Sequence, residues 1–94
     1  MATFILLSRL TDAGASTVKS NPGRIKEVNR EIEAYGARVL HQYATLGAYD
    51  FVSIVEAPDV ASVLRLSVEL GARGSVRIQT LAAIPIDQFV ATLK

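Results

Sequence analysis

Pro58 separates two segments of opposite periodicity, and that junction limits the folds open to the chain. Before it, YDFVSIVEA (49–57) is rich in the aromatic and β-branched residues that suit a pleated sheet. After it, VASVLRLSVELG (60–71) has helical spacing, and Asp59 is placed to cap its first turn, where the helix dipole favours a negative charge. Proline has no N–H to give to a ladder, so the strand stops there. The Arg73-Gly74 turn then leads back into a further strand, SVRIQTLAAI (75–84).

The first half repeats this alternation. TFILLSRL (3–10) is a short apolar run that reads as a buried strand, followed by a loop through TDAGAST to SNPGR. Asn21 is placed to cap a helix opening at Pro22, with Ile25, Val28, Ile32 and Tyr35 on one face and Gly36 ending it through a positive φ. Arg38 to Leu46 alternates as a strand, and Gly47-Ala48 fits a tight hairpin turn into the strand before Pro58. Residues 86–93, carrying Ile86, Phe89, Val90 and Leu93, read as a short amphipathic helix. The expected fold is therefore α+β: a ferredoxin-like β-α-β-β-α-β sandwich with an antiparallel sheet, both helices on one face, and a short C-terminal helix. One domain spans 1–94.

Two helices cover one face of such a sheet, so the other face decides the biology. Alternation assigns Ile5, Leu7, Leu40, Ala44, Val52, Ile54, Val76 and Ile78 to the helix side. The open face then holds Phe4, Leu6 and Ser8 from the first strand, His41 and Tyr43 from the second, Phe51, Ser53 and Val55 from the third, and Arg77, Gln79 and Leu81 from the fourth. A face bathed in water would be more uniformly polar. Half the residues are hydrophobic and only 20% charged, with a mean hydropathy of +0.31. For 94 residues that excess implies apolar surface buried against another subunit. Either two sheets pack dryly in a homodimer, or they enclose a small-molecule cavity.

Charge and composition exclude several classes. Ten basic and nine acidic residues are well mixed and give a net charge of +1, so nucleic acid and anionic membrane are not expected partners. Cysteine is absent, which removes disulfides, thiolate nucleophiles and cysteine–metal sites. No run approaches the roughly 20 apolar residues of a membrane span. The start, MATFILLSRLTDAG, lacks a basic leader segment, so a cytoplasmic location is expected. GxSxG, HExxH, CxxC and GxGxxG motifs are missing, and neither a cofactor nor a metal is expected.

FILLSRLTDAG, NPGR, LGAYDFVSIVEAPD and RGSVRIQTL together resemble the GYD family, small proteins of the dimeric α/β-barrel, ferredoxin-like group. Gly47, Tyr49 and Asp50 match the name-giving residues. The resemblance covers essentially the full length and implies a homodimer whose sheets face each other to form a barrel. Related barrel families include cofactor-independent monooxygenases, isomerases and ligand-binding regulatory modules, so the resemblance fixes no reaction.

The candidate ligand-binding residues are Tyr43, His41, Asp50, Tyr49, Phe51, Ser53 and Arg77. His41 is the only histidine, and an imidazole is the side-chain type best suited to act as a base near neutral pH, although no ligand-spaced cluster accompanies it. Tyr43, on the same strand face, offers a pocket wall with a polar tip. Asp50 either fixes the hairpin by accepting backbone amides or stands as an acid or base at a pocket rim. Glu56 and Asp59 flank Pro58 as strand end and helix cap, and Arg73-Gly74-Ser75 is only a weak anion signal. These features suit a homodimeric barrel that binds a small molecule between facing sheets. The alternatives are a cofactor-independent monooxygenase- or isomerase-like enzyme on a small apolar substrate, and a metabolite-sensing regulatory module.

Overall fold

A computed structural model describes residues 1–94. Its elements run β1 (Ala2–Leu10), α1 (Asp12–Ser20), α2 (Arg24–Glu33), β2 (Arg38–Ala44), β3 (Phe51–Ala57), α3 (Val60–Ala72), β4 (Val76–Ala83) and α4 (Ile86–Thr92). The four strands form one antiparallel sheet in the order β2-β3-β1-β4, the ferredoxin-like layout expected from the element order. The junction at Pro58 behaves as its residues dictate. Asp59 Oδ1 accepts hydrogen bonds from the Ser62 amide at 2.9 Å and the Ser62 hydroxyl at 2.8 Å, and α3 follows. Those bonds hold the Asp59 carboxyl below its usual range, the backbone amide contributing most.

The core lies between the sheet and the helices. Phe4, Leu6, Val55 and Ala57 supply its sheet side, while Ile32 of α2 and Val63, Leu66 and Leu70 of α3 close over them. Leu66 and Val55 are the largest side chains fully removed from water. Burying a side chain of that size stabilises the fold by about 1.5–3 kcal/mol. The other side of α3 keeps Val60, Leu64 and Val68 in solvent, at 58, 61 and 70% exposure. None of α4 is buried.

Three expectations are corrected. The segment after Leu10 is not a loop: Thr11 Oγ1 accepts from the Gly14 amide at 3.1 Å and starts α1. Asn21 accordingly closes α1, its amide donating to Thr17 O at 2.8 Å, and α2 begins three residues later behind Gly23 without a side-chain cap. The β2–β3 connection is longer than a two-residue hairpin. The Thr45 amide donates to Asp50 O at 2.8 Å, so residues 46–49 form the loop, with Gly47 at φ +134.

The third correction concerns the two faces of the sheet. Phe4, Leu6, Ser8, Ser53 and Val55 are buried against the helices, and Phe51 points the same way. Ile5, Leu7, Val52 and Ile54 occupy the open face instead. The assignment was inverted for β1 and β3 but correct for Val76 and Ile78, and for Arg77, Gln79 and Leu81, in β4. In β2 a bulge between Val39 and His41 absorbs Leu40 and leaves His41 and Tyr43 on the open side. Ser8 and Ser53 misled because they look like surface residues. They are 8% and 5% exposed.

Candidate functional site

The register arranges the open face into rows across the sheet. Tyr43, Val52, Leu7 and Gln79 form one, and His41, Ile54, Ile5 and Leu81 form the next. Toward one end Arg38, Glu56, Thr3 and Ala83 follow, with Arg38 Nη2 3.2 Å from Glu56 Oε1. At the other end Arg9 stands directly opposite Arg77. The result is an apolar centre between two charged ends. Like charges facing each other across a ladder are unfavourable, and neither Arg9 nor Arg77 forms an ion pair with a carboxylate.

The β2–β3 loop closes the arginine end. The Tyr49 hydroxyl donates to Gln79 Oε1, so its ring reaches across β1 toward β4. The Arg9 guanidinium lies 5.4 Å from the centre of that ring and donates through Nε to Ala48 O at 3.0 Å. A cation over an aromatic face is attracted by the ring's quadrupole, which offsets part of the repulsion from Arg77. Asp50 fastens the loop. Its Oδ2 accepts from the Leu10 amide at 2.7 Å, and its own amide donates to Ser8 O at 2.8 Å. The Gly-Ala-Tyr-Asp stretch is thus a clasp: Gly47 allows the turn, Tyr49 covers the open face, and Asp50 ties the loop to the end of β1.

The seven candidate residues do not converge. His41, Tyr43 and Arg77 share the open face with Tyr49, Asp50 is taken up by backbone at the loop, and Phe51 and Ser53 line the opposite, helix-covered side. His41 is exposed on the outer strand β2 and makes no side-chain hydrogen bond, so no second group orients it. No group of three or more His, Cys, Asp or Glu side chains comes together. Sequence reasoning missed Ile5, Leu7, Val52 and Ile54 as open-face residues. Arg9 and Glu56 carried the signal, because each shares their phase and neither can be placed under a helix layer without a partner.

A GYD domain model matches residues 4–93, nearly the whole chain. The chain belongs to the GYD family. A Thermus thermophilus relative of this GYD domain is 57% identical over 95 residues, with all of both chains covered, and is named glutamine synthetase and cystathionine beta-lyase binding protein. The crystal structure of TTHA0845, also from Thermus thermophilus, matches with a TM-score of 0.57 at 24% identity. It covers 90% of this chain and 95% of its own, which supports the fold alone.

Proposed function

We propose that this GYD domain is a homodimeric protein-binding module that engages metabolic enzymes of the kind named for its relative, glutamine synthetase and cystathionine beta-lyase. The observation that carries the reading is the 57% identity with that binding protein over the full length of both chains. The physical features agree with it. The rows Tyr43–Val52–Leu7–Gln79 and His41–Ile54–Ile5–Leu81 form an apolar surface that two copies can bury by facing each other about a two-fold axis. With that face closed, Val60, Leu64 and Val68 remain as an apolar stripe at i, i+4 and i+8 on α3, the spacing used by helices that dock against partners.

A small molecule held between the facing sheets would lie against Ile5, Leu7, His41 and Tyr43 in this arrangement. Catalysis by His41 has less support, because a general base is ordinarily oriented by a second hydrogen-bonding group. Sedimentation of the purified chain and titration against each enzyme test the proposal. We expect a dimer that Ile54→Asp converts to monomer, and enzyme binding that Leu64→Glu weakens without altering the dimer. A chain that stays monomeric at high concentration overturns the dimer. Failure to bind either enzyme overturns the partner assignment.

A further inference from the structure

A cavity of about 140 Å³ lies in the helix-covered half of the molecule, on the opposite side of the sheet from the face just described. It exists because the side chains beneath the helices are short where the core is widest. Ser8 and Ser53 occupy positions on β1 and β3 whose neighbours are Leu6 and Val55, and α1 contributes only Gly14, Thr17 and Val18. Its apolar wall comes from Leu6, Phe51 and Ile78 of the sheet and Ile25, Val28 and Ile32 of α2.

Three of the polar side chains that line it are hydrogen-bonded to one another. Gln42 and Asn29 exchange hydrogen bonds, Asn29 Nδ2 donating to Gln42 Oε1 at 2.7 Å and Gln42 Nε2 returning one at 3.4 Å. Gln42 Nε2 also donates to Ser53 Oγ at 3.1 Å. Ser53 therefore accepts from Gln42 and keeps its own hydroxyl hydrogen free to donate. Ser8, on the diagonal position of the same ladder and 8% exposed, also lines the cavity, and its hydroxyl stays reachable from it. Both hydroxyls can therefore donate to water or to an acceptor that enters the cavity.

We infer that this cavity binds a small neutral molecule: an aromatic or branched aliphatic body with one hydroxyl or carbonyl oxygen that accepts from Ser8 and Ser53. The cavity opens to solvent on one side, and its volume suits a small body, since a closed apolar void of roughly 150 Å³ in another protein holds benzene, about six non-hydrogen atoms. Neutrality follows from the two guanidinia that line the cavity, because both are already compensated. Arg24 Nη1 lies 2.9 Å from Glu31 Oε1 and 3.1 Å from Glu27 Oε2, and Arg73 pairs with the other oxygen of Glu31. The same ion pairs tie α2 to the end of α3 beside the cavity. The site is separate from the surfaces proposed for self-association and enzyme binding.

Phenol, benzene and benzoate, titrated into the full chain and followed by amide chemical shifts, test the site. Phenol is expected to bind saturably at 1:1, to move the resonances of Leu6, Ser8, Val28 and Ser53, and to bind about tenfold tighter than benzene. In Ser8→Ala and Ser53→Ala together that preference should fall to near unity while benzene still binds, which also shows that the variant is folded. Absence of saturable shifts with any probe overturns the proposal. So does an unchanged phenol preference in the double variant, or a response confined to His41 and Tyr43. Benzoate binding as tightly as phenol overturns the neutral ligand class.

Discussion

Replacing Gly14 with alanine sets two known effects against each other. Helix propensity alone favours alanine by about 1 kcal/mol. The position is nevertheless closed, because an added Cβ would lie 1.9 Å from the Ser75 carbonyl oxygen and 2.9 Å from its carbon. Ordinary contact requires the two to part by about 1.5 Å more, a displacement on the scale that makes overpacking cost about 1–3 kcal/mol. The backbone it must push is not free to move. Ser75 O accepts from the Thr11 amide at 3.1 Å, and Gly74 O accepts from Thr11 Oγ1 at 2.7 Å. Thr11 is also the cap of α1, worth about 1 kcal/mol. With the cap term and the propensity term roughly cancelling, we expect Gly14→Ala to destabilise by about 1–3 kcal/mol, read as a lower urea midpoint at unchanged m. Gly71→Ala is the matched control. It lies in α3 with nothing within 4 Å of the new Cβ and should stabilise by about 0.5 kcal/mol. If Gly14→Ala were as stable as the parent, the seating of α1 on the start of β4 would be refuted.

Asp50→Ala should cost about 1–3 kcal/mol in urea denaturation by leaving the Leu10 amide without its acceptor, and Asp50→Asn, which keeps an oxygen there, should cost less. Phe51→Asp should prevent folding, as judged by circular dichroism, because the carboxylate would enter the helix-covered interior. Ile54→Asp should leave the fold intact and abolish self-association in sedimentation. Acid titration of stability gives a further check. Glu31 is held below its usual range, chiefly by the Arg73 hydrogen bond and then by Arg24, and Asp59 is held down by the Ser62 amide. A depressed carboxyl stabilises the fold above its unfolded value, near 4–4.5, and loses that contribution as pH falls through the lower folded value. Stability should therefore decline below about pH 4.5, and Glu31→Gln should flatten that decline.

The fold was legible because its signals are local. Pro58, the Asp59 cap and the apolar periodicity of α3 each act within a few residues, and together they place the junction of β3 and α3. α1 was missed because DAGASTVKS has no apolar stripe. It is held by the Thr11 cap and by the close approach of Gly14 to Ser75, a contact between residues distant in sequence. The sheet phase was misread because β1 and β3 are apolar on both sides, so alternation cannot choose between them. Arg9 and Glu56 were the decisive markers, and Ser8 and Ser53 the misleading ones, since their burial serves a cavity that arises only once three helices are in place. For the same reason the seven candidate residues fall on two faces, whereas in the clasp the turn at Gly47 and the tie of Asp50 to a backbone amide were anticipated and the bond from Tyr49 to Gln79 was not.

The irregularity at Leu40 has a bearing on solubility. β2 is a rim strand, and an unbroken rim of amide and carbonyl groups would template pairing with strands from other molecules. An extra residue between Val39 and His41 bends and twists the strand, and the charge of Arg38 lies just before it. A foreign strand laid along this rim would lose register after a couple of residues, which discourages open-ended fibre growth while leaving the broad face free for a specific mate. Deleting Leu40 would straighten the rim and favour ribbon-like aggregates.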